Sequence, residues 1–258
     1  MVLSARPSIA VGILGLGRLG SALAFALDAA GYGPILHASR GTNRRRVPGQ
    51  VVDRASLAGR AQLVFVTVPD NAIKEVAAQV EWRVGQVVVH TSGARAIDAL
   101  AAVEQRGAMA GCFHPLQTFP AGLSADQAST RFRDITCGIE GDDRTALLLE
   151  AITVSLGARA IRLEGVNRAA YHAAAVLVSN DVVALTVAAS RAWEQAGLPI
   201  ADAQQALAPL LRASIDGISE RPLAQALTGP LARGDVDTIE EHLGVLAHAP
   251  LSLIHISA

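Results

Sequence analysis

The side chains best suited to moving a proton in this chain are two histidines. His114, in "CFHPLQTF", directly follows an apolar run and precedes Pro115, whose fixed φ sets the exit of the loop. Its side chain is therefore expected to project from a strand end into a crevice. His172, in "YHAAAVLVSN", opens a long apolar helix, and Asn180 lies eight residues on, close to the same face. Imidazole, with an unperturbed pKa of about 6.5, gives or takes a proton at neutral pH, and a primary amide can orient a carbonyl or hydroxyl. A polar pair on an Ala-rich helix can also serve only to bond neighbouring backbone, so both readings are open for His172 and Asn180. Thr91 and Ser92 end another apolar run in "HTSGA", where hydroxyls and the Gly93 backbone could bond an amide or a reacting oxygen; His90 is expected to pack inside.

A second chemistry is written in glycines. Gly15, Gly17 and Gly20 form G-x-G-x-x-G between a run that reads as a strand and one that reads as a helix. This is the context in which the motif makes a tight turn, a close approach to pyrophosphate and close helix packing. The anion would rest on the helix N-terminus, so Gly15, Gly17, Arg18, Leu19 and Gly20 are candidate cofactor contacts. About 20 residues on, where an acid would bond the 2′-hydroxyl of NAD, "HASRGTNRRR" offers Ser39 and Arg40. A hydroxyl and a planar fork of donors suit a 2′-phosphate, and Arg44, Arg45 or Arg46 is near enough to add a second cation. The expected cofactor is NADP(H), with Thr91 and, in "TVPDNAI", Val68 and Pro69 as further contacts at later strand ends.

These residues need a frame, and the chain supplies one. Short β-branched or apolar runs at Ile9 to Leu14, Pro34 to Ala38, Leu63 to Val68, Val87 to His90 and Ala108 to Phe113 alternate with helical stretches at Arg18 to Ala30, Asn71 to Val80 and Ala94 to Gln105. A strand at Ile135 to Glu140, a helix at Asp142 to Leu156 and a strand at Arg159 to Leu163 close the series. The pattern predicts an α/β fold, a Rossmann-like doubly wound parallel sheet over residues 1–165. From Asn167 the sequence reads as Ala-rich helices broken at "GLPIAD", "ISERP" and "TGPLARGD", which predicts an all-α domain over 166–249. The last residues, 250–258, do not continue the preceding amphipathic helix and read as a non-native tail.

Composition narrows the function classes. The chain of 258 residues is 51% hydrophobic, 17% charged and 3% aromatic, so its core is built from Ala, Val and Leu. A formal net charge of -1 gives no global field toward nucleic acid or an anionic membrane. Cys112 and Cys137 have no metal-like or CxxC spacing, which points to reduced thiols in cytoplasm. "AAAVLVSNDVVALTVAAS" carries Asn180 and Asp181 at its centre, a costly choice for a bilayer span.

As a set, "TVPDNAI", "HTSGA", "CFHPLQTF", "YHAAAVLVSN" and "ALTGPLARGD" resemble the family that joins a Rossmann-like domain to the C-terminal domain of unknown function 2520. That family is related to pyrroline-carboxylate reductases and 6-phosphogluconate-type dehydrogenases, and the resemblance runs to about Ala249. It implies an NADP-dependent oxidoreductase acting on a small substrate, with a helical domain that pairs two subunits. Related hydroxyacid dehydrogenases place a lysine on the long helix of the second domain, whereas the only lysine here is Lys74, in the first. His172 is the substitute on that helix. A prephenate-dehydrogenase-like chain also carries His-Pro after the strand equivalent to that of His114, which implies substrate contact there; Gln117, in the same stretch, is a further candidate. Arg233, between Gly229-Pro230 and Gly234, could clamp an anionic substrate, while Asp235 or Asp237 is expected to cap the next helix.

The expected reaction is hydride transfer between NADP(H) and a small C=O or C=N compound, with His172 or His114 as acid/base and Asn180 and Ser92 as orienting groups. Two alternatives stand beside it: an NADP(H)-binding sensor or partner-binding protein that does no chemistry, and an F420-linked NADP reductase. The missing lysine keeps the sensor open.

Overall fold

The computed structural model describes residues 9–39 and 47–246. The chain runs β1 (Val11–Leu14), α1 (Arg18–Ala29), β2 (Ile35–Ala38), β3 (Gln50–Val51), α2 (Arg54–Arg60), β4 (Leu63–Val66), α3 (Ile73–Ala78), β5 (Val87–His90), α4 (Ala101–Glu104), β6 (Met109–Pro115), α5 (Ala125–Thr130), β7 (Thr136–Gly141), α6 (Asp143–Ser155) and β8 (Arg159–Arg162). Strands β1, β4 and β5 read "VGIL", "LVFV" and "VVVH" and are buried at every position. Such unalternating apolar runs are what a sheet covered on both faces selects. One core cluster places Ile13, Phe65, Val89 and Phe113 against α1, α5 and α6; the other packs Val64, Val66 and Val88 against α2 and α3.

The eight strands lie in the order β3-β2-β1-β4-β5-β6-β7-β8. The direction of winding reverses at β1, between β2 and β4, which is where doubly wound sheets open a crevice at their carboxyl ends. All neighbours are parallel except β6 and β7. This departs from the all-parallel expectation: the helix between them, α5, lies against α1 and does not return the chain to the start of β6, so β7 enters from the end at which β6 leaves. Both outer strands are blunted: β3 has two residues, and β8 carries Arg159 and Arg162.

Three elements were absent from the expected series: β3, α2 and α5. Each helix has a local start signal. Asp53 Oδ1 accepts from Ser56 N at the head of α2, and Ser124 with Gln127 forms a reciprocal capping box at the head of α5.

The chain divides into two compact units, Met1–Ala175 and Val176–Ala258. The division falls ten residues beyond the boundary expected at 165, because the first half of α7 (Arg168–Leu177) is fixed to the sheet by Arg168 and Tyr171. The single long helix expected from His172 through Asn180 is two helices. Ser179 N–H closes a tight turn onto Val176 O (3.1 Å), and α8 (Asn180–Gln195) starts anew. The stretch Arg168–Gln195 is long and apolar enough to cross a membrane by length and composition only.

The second unit continues with α9 (Ile200–Glu220), α10 (Leu223–Ala226), α11 (Gly229–Arg233) and α12 (Val236–Leu246). Helix α8 packs on α9, and α11 on α12. Among the described residues of this unit only Ala184 and Ala203 are buried. Asp235, not Asp237, caps α12, accepting from Thr238 N at 3.3 Å. Gly234 ends α11 in a left-handed conformation, so "TGPLARGD" is a short helix and its cap.

Candidate active site

The glycine turn forms where the sequence placed it. Gly15 has φ +114°, and a Cβ there would meet Thr67 O at 2.9 Å; one on Gly20 would meet Gly15 O at 2.1 Å. These two glycines let the end of β1, the loop after β4 and α1 close on one another. Gly17 differs. Among the described residues a Cβ on it would have no neighbour within 4 Å, and it heads α1 with no side-chain cap and no acid in the first turn. An open, uncapped N-terminus of a 12-residue helix, approached through a glycine without Cβ, fits a pyrophosphate. Arg18 is exposed and lines a hollow with Phe25, Val47 and Leu123, while Leu19 packs on the core. Ser39 is exposed just past the end of β2. Arg40 and Arg44 lie outside the described residues. Val68 is half-buried and Pro69 exposed, in the loop that follows β4.

The proton-handling residues come together on one face of β5, β6 and β7. Register aligns His90 with Cys112 and Cys112 with Glu140, and aligns His114 with Gly138. Side chains two apart share a face, so Cys112 and His114 of β6 lie beside Glu140 and Gly138 of β7. Helix α7 runs across this face toward the carboxyl end of β6. Its first residue, Arg168, is buried and donates from Nη2 to Glu140 Oε2 at 2.8 Å. One turn on, Tyr171 places its hydroxyl 2.9 Å from His114 Nδ1, with the rings edge to face at 5.5 Å between centroids. His172 follows, 6.2 Å from the His114 ring.

Two glycines make room for this cluster. A Cβ on Gly138 would lie 2.5 Å from the Tyr171 hydroxyl, and one on Gly93 would lie 2.7 Å from His114 Nε2 and 2.9 Å from His172 Nδ1. Thus the loop after β5, the end of β6 and the first half of α7 meet at one point. Burial, then the neighbouring His172 and Arg168 charges, lower the pKa of His114 to about 4. Burial raises Tyr171 to about 12. Among the described residues His172 Nδ1 and Arg168 Nε and Nη1 are buried with no hydrogen-bond partner.

Some candidates take other positions. The Ser92 hydroxyl donates to Asp70 Oδ2 (2.6 Å) and accepts from Ala94 N and Arg95 N. One donor and two lone pairs are thereby used, so Ser92 ties together the loops after β4 and β5 and has nothing left to orient a substrate. Thr91 is buried. His90 is fully buried, as expected; its Nδ1 accepts from Ser92 N and its Nε2 lies 3.2 Å from Ala96 O. The Gln117 side chain folds back to accept from Thr118 N at 2.8 Å. Asn180 is the first residue of α8, where its Oδ1 accepts from Ser179 Oγ at 3.1 Å; the helix break removes the shared-face argument that linked it to His172. Arg233 is exposed in the last turn of α11. Sequence reading missed Tyr171, Arg168, Glu140 and Gly138. The adjacent "YH" was the only available signal for Tyr171, because the other three matter only once β7 runs antiparallel.

Comparison with known proteins agrees with this architecture. Residues 3–115 match a Rossmann-like domain, and residues 135–254 match the domain of unknown function 2520. A "putative NADP oxidoreductase" from Bacteroides fragilis is 26% identical, with TM-score 0.76, over 95% of this chain and 94% of that one. The 1-pyrroline-5-carboxylate reductase of Streptococcus pyogenes is 15% identical (TM-score 0.67; 95% and 94% covered). A reductive aminase from Aspergillus terreus, in complex with NADPH and ethyl levulinate, is 14% identical (TM-score 0.69; 96% and 90% covered). At those identities the last two are likenesses of fold. No curated protein matches the chain.

Proposed function

From a chain that carries a Rossmann-like domain and a domain of unknown function 2520, we propose an NADP(H)-dependent oxidoreductase that moves a hydride to or from a small C=O or C=N substrate. The observation that carries this reading is one of placement. The open glycine turn after β1 and the His114–Tyr171–His172 cluster at the end of β6 belong to the carboxyl ends of one sheet. Bound there, the dinucleotide supplies the hydride. The chain itself would hold the pyrophosphate at Gly15, Gly17 and the first turn of α1, and handle one proton at the cluster. The NADP-binding relatives of like fold support the cofactor class.

Preference for NADP(H) over NAD(H) rests on Ser39 and Arg40, the next two residues of the sequence after Ala38, where an Asp or Glu would repel a 2′-phosphate. Fluorescence titration with NADPH and NADH tests it. One or two charge-assisted contacts, each worth about 1.5–3 kcal/mol, give at least about tenfold tighter NADPH binding. Equal affinities would overturn the preference, and no binding of either would overturn the function.

We also propose that a second copy of this chain covers the helical unit. Leu185, Leu210, Ile215, Ile218, Leu231 and Leu243 are all exposed, and two buried alanines cannot stabilise five helices in water. Light scattering at micromolar concentration should give a dimer; a monomer there would refute it.

A further inference from the structure

We propose that Tyr171 is the proton donor of this site, with His114 as the group that orients its hydroxyl and hydrogen-bonds to the phenolate left behind. The inference rests on the hydride-transfer reading above and names the proton carrier within it.

The geometry distinguishes Tyr171 from its neighbours. Its hydroxyl rests over the bare backbone of Gly138 and 2.9 Å from His114 Nδ1. Position and direction are therefore both set, by a contact that tolerates no Cβ and by a hydrogen bond. Tyr171 is only partly buried, at the carboxyl end of β6 where the glycine turn also opens. His172 lacks this definition, since its Nδ1 is buried over Gly93 with no hydrogen-bond partner among the described residues.

His114 is the wrong group to give the proton and the right one to hydrogen-bond to the phenolate. With its pKa lowered to about 4, only about one molecule in 10³ carries the imidazolium at pH 7. The neutral ring has one N–H. If Nδ1 holds it, that N–H donates to the phenol oxygen, and the phenol proton is free to point at substrate. Burial holds Tyr171 protonated until it reacts; the buried Arg168 charge opposes part of that effect at Tyr171 and disfavours imidazolium at His114.

The step balances as follows. When bound, NADPH would supply a hydride to the substrate carbon, and the electron pair of the C=X bond would move onto X, which is oxygen or nitrogen. X takes the phenolic proton of Tyr171 to form X–H. The phenolate accepts a hydrogen bond from His114 Nδ1–H, which keeps its proton, and is reprotonated by one proton from solvent as product leaves. The substrate is reduced and the dinucleotide oxidised.

The test combines a measurement free of turnover with one of activity, both on the full chain. Ring-nitrogen NMR of histidine-labelled protein, with His114 identified through His114→Asn, should show a neutral Nδ1–H ring at pH 7 that loses this tautomer in Tyr171→Phe. A His114 ring that is charged, or protonated on Nε2, overturns the proposal. Tyr171→Phe should keep the melting profile and NADPH affinity, because the ring remains, and should lower kcat by roughly 10²–10³-fold with KM within about threefold for 2-oxo acid or cyclic imine probes. Normal turnover in folded Tyr171→Phe overturns it, as does a large loss confined to His172→Ala. If NADPH binds but no probe is reduced, the tautomer decides. If NADPH does not bind at all, the oxidoreductase reading has failed, whatever state His114 is in.

Discussion

Leu23 on α1 and Leu210 on α9 both belong to the apolar stripe of an amphipathic helix, yet Leu23 is fully buried and Leu210 is 67% exposed. The difference lies in what faces the stripe. In the first unit, helices cover a sheet that is apolar on both faces, and two core clusters close. In the second, helices meet mainly each other through alanine, and large side chains stay on the surface. A periodic pattern specifies which face of a helix wants cover, but it does not say whether the cover comes from the same chain.

Four experiments would break or sharpen this contrast. The largest effect belongs to the glycine turn. Gly20→Val places its Cβ against Gly15 O and should cost more than about 4 kcal/mol, read as loss of the cooperative melt. Gly17→Ala has open space and should melt as wild type while losing at least tenfold in NADPH affinity. If both variants merely unfold, Gly17 is structural. If both are fully stable and bind normally, the turn is not a dinucleotide site.

Next, Leu23→Ala should cost about 2–5 kcal/mol at any protein concentration. Leu210→Glu should instead shift the species seen in light scattering from dimer to monomer, with a melting temperature that depends on concentration in wild type only. A concentration-independent wild-type melt would break the contrast.

His90 gives the third. Its pKa falls from 6.5 to about 4, first through burial and then through the Arg168 charge. Between those pH values the unfolded chain binds a proton that the folded chain refuses. Stability present above pH 6.5 is therefore lost as pH falls toward 4, by roughly 3 kcal/mol from this residue. Chemical denaturation at pH 7 and pH 4.5 should show this loss in wild type and a shallower one in His90→Leu, which is already weakened at pH 7 by the unpaired Ser92 N–H. Equal slopes would reject the assignment. The smallest effect is Arg40→Ala, which should reduce the preference for NADPH over NADH by about tenfold with NADH affinity unchanged.

Most strands of the first unit were legible because a doubly covered parallel sheet needs continuous β-branched runs such as "LVFV" and "VVVH". The glycine turn was legible because its residues act through local backbone geometry. The short elements were not, since β3 has two residues and α2 and α5 present capping pairs rather than a periodic face. His114 and His172 were found singly, by position after a strand and at a helix start. Tyr171 was not, because its role depends on Gly138, which reaches it only through the antiparallel register of β7 on β6. Ser92 was misjudged for a related reason: its type suits orienting a substrate, and only the fold reveals that Asp70 and two backbone amides already occupy it.

The blunted margins of the sheet bear on how this protein avoids the wrong kind of company. A strand of two residues offers too little ladder for another chain to extend, and β8 presents Arg159, bonded to Thr136 Oγ1, and Arg162, paired with Glu150 and Glu164. Flanking an outer strand with cations discourages a neighbour from adding a strand of its own. Replacing both arginines with valine would remove that guard and leave "VAIV" at the margin, a segment prone to fibrillar stacking.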